Sequence, residues 1–196
     1  LVIGDLRAIV GTHKLGLKRI EEFISDYNLK TLMKISTTIR KNSEYLLRNK
    51  IYKLENGIYK YKLQIDGYFE TVDLNVKIKI DDYDIYVDYS NTSNQTNRAS
   101  INCVYNVTHS STMYPFKCAL VPNIPNNTGL FNPIKVFAPK GSILNTTFPH
   151  PVQARAKTTN NINQVIFGAL CDVFGEFAQA GSGSIWPFSV YGTDES

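Results

Sequence analysis

Histidines are the first place to look for a metal or acid–base centre, and here there are three: His13, His109 and His150. None lies within four residues of another, so no helix face presents the histidine pair that a zinc hydrolase is built on. The reading therefore assigns no metal to these residues, and takes His13 as a structural histidine at the polar border of a helix. The acidic cluster Asp81, Asp82, Asp84 and Asp88 lacks the glycine and closing glutamate of a calcium loop, so a hairpin turn is expected there. Cys103, Cys118 and Cys171 form no C-x-x-C pair and sit among apolar neighbours. Buried reduced thiols in a cytoplasmic setting are the expectation, and the five N-x-[ST] sequons, without a signal segment, do not change it. There is no G-x-S-x-G elbow, P-loop or dinucleotide-binding glycine pattern, so no catalytic residue is assigned.

Residues 124–163 offer a different kind of chemistry. Pro125, Pro133, Pro139, Pro149 and Pro151, with Gly129 and Gly141, surround two short apolar runs at 134–138 and 152–156. Proline fixes φ and glycine permits positive φ, so such punctuation specifies shaped loops between short strands. Asn126, Asn127 and Gly129 could aim amide groups at a polar ligand. Arg155, expected just after a strand and before Lys157, could clamp a carboxylate or phosphate. The alternative stays open: the asparagines cap turns and Arg155 pairs with a nearby carboxylate.

The elements that would carry these loops follow from periodicity. Residues 4–28 place Leu6, Ile9, Val10, Leu17, Ile20, Phe23, Ile24 and Tyr27 on one helical face, with Asn28 closing the helix or capping the next element. A second helix is expected over 29–54, joined to the first by a very short turn as an antiparallel hairpin. The period then changes to two over 58–65, 71–80 and 85–89, which predicts an antiparallel meander with one face against helices. Residues 102–120 regain helical spacing around Pro115, and a last helix is expected over 159–177 with Asn160 and Asn161 as caps. The fold class is thus α+β: a helical hairpin (1–54) packed on an antiparallel sheet (55–100), with a further helix–loop–strand layer (101–180). Residues 181–184 read as a flexible joint, with Trp186, Phe188 and Tyr191 beyond it as an aromatic end that packs on something.

Composition narrows the partners. At 196 residues the chain supports one sizeable core. Residues 1–62 hold 13 Lys/Arg against six Asp/Glu, out of 21 and 17 in the whole chain. These bases are interleaved with acids at helical spacing and no reader motif accompanies them, so nucleic acid is set aside. No apolar run reaches the ~20 residues needed to span a bilayer, and neither long helix pairs a strongly basic face with an aromatic one. The chain opens without methionine inside a helix start, so a fragment of a longer protein is expected.

The order of segments resembles the hydantoinase B family, which includes the B half of 5-oxoprolinase and the alpha subunits of acetone and acetophenone carboxylases. The resemblance is carried by Gly4-Asp5-Leu6-Arg7-Ala8, Asn56-Gly57-x-Tyr59, Val87-Asp88-Tyr89-Ser90 and Ile101-Asn102. It continues through Ile124-Pro125-x-Asn127-x-Gly129, Pro133-Ile134-x-Val136, Ala138-Pro139-x-Gly141-Ser142, Val152-x-Ala154-Arg155 and Ile166-x-Gly168-Ala169-Leu170. It implies the B subunit of an ATP-dependent cyclic amide hydrolase, hetero-oligomeric with a hydantoinase A-like chain that uses ATP and Mg²⁺. The carboxylase branch, or a non-catalytic interaction module, is the alternative. The resemblance implies a divalent metal held by a part before Gly4, and it adds Asn102 to Asn127, Gly129 and Arg155 as substrate-binding candidates. Three stretches depart from the family pattern: Leu130-Phe131-Asn132, Pro149-His150-Pro151, and Ala156-Lys157-Thr158-Thr159 after Arg155. All lie in or beside the shaped loops, so substrate class stays open.

Overall fold

The computed structural model describes residues 2–30, 32–183 and 190–192. Trp186 and Phe188, expected to pack as an aromatic end, lie outside them, and Tyr191 is exposed. The chain divides into two compact units, Leu1–Asn42 and Ser43–Ser196.

In the first unit, α1 (Val2–Asp26) carries Asp5 in its first turn, where a carboxylate offsets the free N–H groups. Asn28 ends it in a left-handed conformation (φ 49°). The Leu29 N–H reaches the Ile24 carbonyl at 2.9 Å and the Asn28 N–H reaches the Ser25 carbonyl at 3.1 Å. This pair of bonds is a Schellman motif, which satisfies the last carbonyls and turns the chain into α2 (Leu32–Ile51). No residue of α1 is buried.

In the second unit the α+β class is as expected. Strands β1 (Gly57–Asp66), β2 (Thr71–Asp81) and β3 (Asp84–Asp88) form the antiparallel meander. Alternation decides its two faces: Val72, Leu74, Val76, Ile78 and Ile80 of β2 are buried, while the intervening Lys77 and Lys79 are exposed. The Asp81–Asp84 hairpin holds Asp82 at φ 52°, and the Asn56 side chain pairs with its backbone N–H and carboxylate, both at 2.9 Å. The acidic cluster is thus a turn.

The sheet is mixed, a departure from the antiparallel expectation. Strand β4 (Ile134–Phe137) joins as the fourth strand, parallel to β3, with Ile85 opposite Ile134 and Val87 opposite Val136. Parallel pairing needs a crossover, and α3 (Tyr105–Leu120) supplies it. The layer closing the buried sheet face comes from the C-terminal half of the chain. There α4 (Ala156–Ala169) lies on β1 and β2, and α3 stacks on α4 and reaches β4. Residues 43–51 of α2 add Leu47 and Ile51 to the core.

Three further expectations fail. The run 152–156 is a turn entering α4, because Arg155 adopts helical angles (φ −52°, ψ −27°) and its N–H bonds the Val152 carbonyl. Asn160 and Asn161 lie within α4 rather than capping it. Asn161 is buried and donates to the Lys157 carbonyl one turn back, at 2.7 Å. The helix also stops at Leu170 instead of running to 177. A short α5 (Cys171–Phe174) follows, and Gly175 at φ 53° ends it.

Candidate functional site

The four candidate residues fall in two loop junctions. Asn102 is fully buried. Its Oδ1 accepts the Thr96 N–H at 2.8 Å, and its Nδ2 donates to the carbonyls of Thr96 (2.7 Å) and Pro151 (2.8 Å). Neighbouring bonds stitch the same seam. The Gln95 Oε1 accepts from the Thr147 N–H and the Thr146 hydroxyl, and Thr158 donates to the Ile101 carbonyl at 2.7 Å. The proline-rich loop is therefore held in shape by the 95–102 segment, and the amide of Asn102 is consumed in doing so. Arg155, at the start of α4, is exposed and makes only a long bond to the Val152 carbonyl, with no carboxylate partner among the described residues.

Asn127 and Gly129 belong to the second junction. The Asn127 Oδ1 accepts the Gly129 N–H at 2.9 Å and so caps the short 3₁₀ turn Thr128–Phe131. Its Nδ2 donates to the Ser43 hydroxyl (2.8 Å) and the Pro125 carbonyl (2.9 Å), tying the loop to α2. Asn132 adds a 2.6 Å bond to the Glu44 carboxylate. That bond, then the Arg48 guanidinium, holds Glu44 below the usual carboxylate range. Arg48 bridges Glu44 and Asp84, both at 2.8 Å, and fixes the helix end to the β2–β3 hairpin.

Each junction borders a recess of about 350 Å³. The recess beside Asn102 is the more polar, walled by Ser93, Asn94, Gln95 and Thr96. The recess beside Asn127 has the character of a ligand site, being apolar with a few directed polar groups, and it sits at the small end of such sites. Met113, Phe116, Leu130 and Ile134 form its walls, with Lys117, Asn126 and Asn163 on its lining. Lys117 Nζ donates to the Val121 and Pro122 carbonyls, each at 2.7 Å, which leaves one of its three N–H groups. Asn163 Oδ1 is buried with no hydrogen-bond donor among the described residues, an exception to the usual pairing of buried polar atoms. Asn163, whose side-chain oxygen lacks a donor, thus borders the same apolar recess as Lys117 and Asn126.

The sequence does not single out these recess residues. Ser110, Met113, Tyr114 and Lys117 do lie at helical spacing on one face of α3, and that face is the available signal. Asn163 carries none, since its exposure to the recess depends on how α4 lies beside α3.

The histidines stay apart in role. His109, on α3, packs edge-on against Phe131 with ring centres 5.8 Å apart, and burial pushes its pKa down. The His150 ring meets the Thr147 carbonyl at 2.9 Å, and His13 is exposed on α1. Among the described residues, no group of three or more His, Cys, Asp or Glu stands where it could hold a metal ion. Nor is any described helix long and apolar enough to cross a membrane.

Residues 1–196 match the family described as Hydantoinase B/oxoprolinase. The chain belongs to that family. A protein of Pseudomonas sp. (strain NS671), named as the B subunit of a D-/L-hydantoinase, is 32% identical over 198 residues, covering 94% of this chain and 33% of the relative. The 5-oxoprolinase of Saccharomyces cerevisiae is 24% identical over 145 residues, covering 72% of this chain and 11% of its own. Among solved structures, the ATP-dependent caprolactamase of Pseudomonas jessenii superposes with a TM-score of 0.78 at 20% identity, over 88% of this chain and 30% of its own. Acetone carboxylase superposes with a TM-score of 0.75 at 15% identity, over 84% and 24%. This member of the hydantoinase B/oxoprolinase family thus spans about a third or less of these relatives' length. The two structural likenesses show that the fold is shared.

Proposed function

We propose that this chain is part of the B subunit of an ATP-dependent cyclic amide hydrolase of the hydantoinase or oxoprolinase type, working with an A-type chain that uses ATP. We further propose that the recess between α3 and the 126–131 loop receives the amide ring. The observation that carries the second statement is that Asn163, whose Oδ1 is buried and unpaired, lines an apolar recess together with Lys117 and Asn126. The amide unit that a lactam, 5-oxoproline and a hydantoin share offers one N–H donor and one carbonyl acceptor beside ring carbon, which is the complement of that set. Family membership over the whole chain supports the first statement.

In this reading ATP supplies activation, converting the amide carbonyl into a phosphate ester of its imidate form that water attacks more readily than a resonance-stabilised amide. This chain's residues bind and orient. Asn163 takes the ring N–H, the Lys117 ammonium or the Asn126 amide meets the carbonyl oxygen, and Met113, Phe116 and Leu130 keep water from the ring. The described residues provide no donor set for the divalent metal that the family resemblance implies, so no step here is routed through one.

The test is reconstitution of the protein with its A-type chain. Phosphate release that depends on 5-oxoproline, a hydantoin or caprolactam is the expected result. No amide-dependent phosphate release with any of the three would overturn the reading. Bicarbonate-dependent turnover of a ketone instead would move the chain to the carboxylase branch.

A further inference from the structure

Helix α1 is 25 residues long, about 37 Å, and has no buried residue. Eight positions at alternating three- and four-residue steps, Ile3, Leu6, Val10, His13, Leu17, Ile20, Ile24 and Tyr27, are apolar but for His13, while Val2, Ile9, Leu15 and Phe23 lie off this line. That is a heptad seam running from one end of the helix to the other, interrupted only by His13. Apart from His13 and the half-buried Ile24, its members are 48% to 68% exposed. Such a seam, uncovered among the described residues, fits a partner helix.

The charges flanking the seam identify the partner. In heptad terms Arg7, Lys14 and Glu21 occupy one flank, and Ile9, Gly16 and Phe23 the other. Laid antiparallel on a second copy of itself, the helix forms complete layers: Ile3 on Tyr27, Leu6 on Ile24, Val10 on Ile20, His13 on Leu17, and the same four in reverse. In that register Arg7 faces Glu21 of the second copy, and Glu21 faces its Arg7. On the opposite flank Ile9 meets Phe23 twice, and Gly16 meets Gly16 at the two-fold axis, where the lack of side chains lets the helices approach. Only Lys14 opposite Lys14, at the axis, is unfavourable. A parallel pairing would instead stack His13 on His13 and put Lys14 beside Ile9, with no opposite charges joined.

We infer that α1 is a homodimerisation helix, pairing antiparallel with α1 of a second copy of this chain in the register Arg7 to Glu21. The inference is independent of the proposed activity.

The test is the oligomeric state of the intact chain by sedimentation equilibrium. A concentration-dependent dimer is expected in the micromolar range. Leu17→Glu gives a monomer with unchanged far-UV circular dichroism, since Leu17 contributes nothing to a core. Arg7→Glu and Glu21→Arg each weaken the dimer roughly tenfold, because each converts two attractive pairs into two repulsive ones. The double variant restores association to within about threefold of wild type. His13→Leu tightens the dimer, since a polar residue in the seam costs stability. A chain monomeric at all accessible concentrations overturns the inference, even if its α1 captures another protein or a lipid vesicle. So does a dimer indifferent to Leu17→Glu, or a double charge swap that fails to restore association, which would exclude this register.

Discussion

The Tyr89 hydroxyl lies 2.8 Å from the Thr112 hydroxyl, and both residues are fully buried. Because Thr112 also donates to the Thr108 carbonyl, at 2.8 Å, its hydrogen is committed and the tyrosine donates to it. The next link, from the Thr108 hydroxyl to the Leu144 carbonyl, carries the chain of bonds from the end of β3 through α3 to the loop after β4. This polar thread fixes α3 against the sheet, and α3 is the wall of the recess.

Breaking the thread from its two ends should cost unequal amounts. Thr112→Val strands the Tyr89 hydroxyl without an acceptor and should destabilise the protein by about 1–3 kcal/mol. Tyr89→Phe leaves Thr112 satisfied by Thr108 and should cost less, about 1 kcal/mol. Urea denaturation of the two variants and Thr112→Ser checks the order: Thr112→Val worst, Thr112→Ser nearest wild type.

Gly168 on α4 lies directly on the Tyr61 ring of β1. A Cβ built there would come within 2.7–2.8 Å of three ring atoms, so the ring must move off the helix. Gly168→Ala should lower stability by about 1–3 kcal/mol through overpacking, although alanine is the better helix former by about 1 kcal/mol. In a Tyr61→Ala background the clash is gone and only the propensity remains. Gly168→Ala should there become stabilising, and a thermal-denaturation cycle reads the change of sign.

The cysteines should separate by reactivity. Cys103 is buried, and burial pushes its thiol up to about 12, against a small opposing pull from Arg155. Cys171 is exposed. In a thiol titration at neutral pH Cys171 should react readily and Cys103 only after unfolding. The folded state holds the Cys103 proton more tightly than the unfolded chain, so this contribution to stability is complete below pH ~9 and is lost as pH rises towards 12. Cys103→Ala should flatten the alkaline fall in stability that begins near pH 9. Tyr89, pushed up by burial, adds its own loss from about pH 10.

The recess can be tested from its unpaired acceptor. Asn163→Leu removes a buried oxygen that has no donor, so the free protein should gain up to about 1 kcal/mol. In the reconstituted complex the same variant should raise KM for the cyclic amide roughly tenfold, the worth of one hydrogen bond. Ser110→Trp, at an exposed recess position, should raise KM without the gain in stability. Unchanged KM in both variants would remove the recess from the substrate path.

The sequence by itself determined the class of fold, the family and the position of nearly every element. The elements rest on local periodicity: β2 reads as a strand because every second residue is apolar, and the change of period after residue 54 separates the helices from the sheet. It also contained the seam of α1 in full, since a heptad is a property of one helix. The tertiary structure decided what local pattern cannot encode. The pairing of β4 parallel to β3 depends on where a crossover returns, and no residue of 134–137 announces it. The expected strand at 152–156 is a turn into α4, held where the Ser100 carbonyl, far away in sequence, accepts the Ala154 N–H at 2.8 Å. The same limit holds for the site. Residue types marked Asn102 and Asn127 as polar groups in shaped loops, but whether an amide faces a ligand or its own backbone is set in part by neighbours 49 and 84 residues away. Asn163 is the converse case, a residue with no sequence signal, made conspicuous only because the fold buries its oxygen beside a recess and gives it no donor.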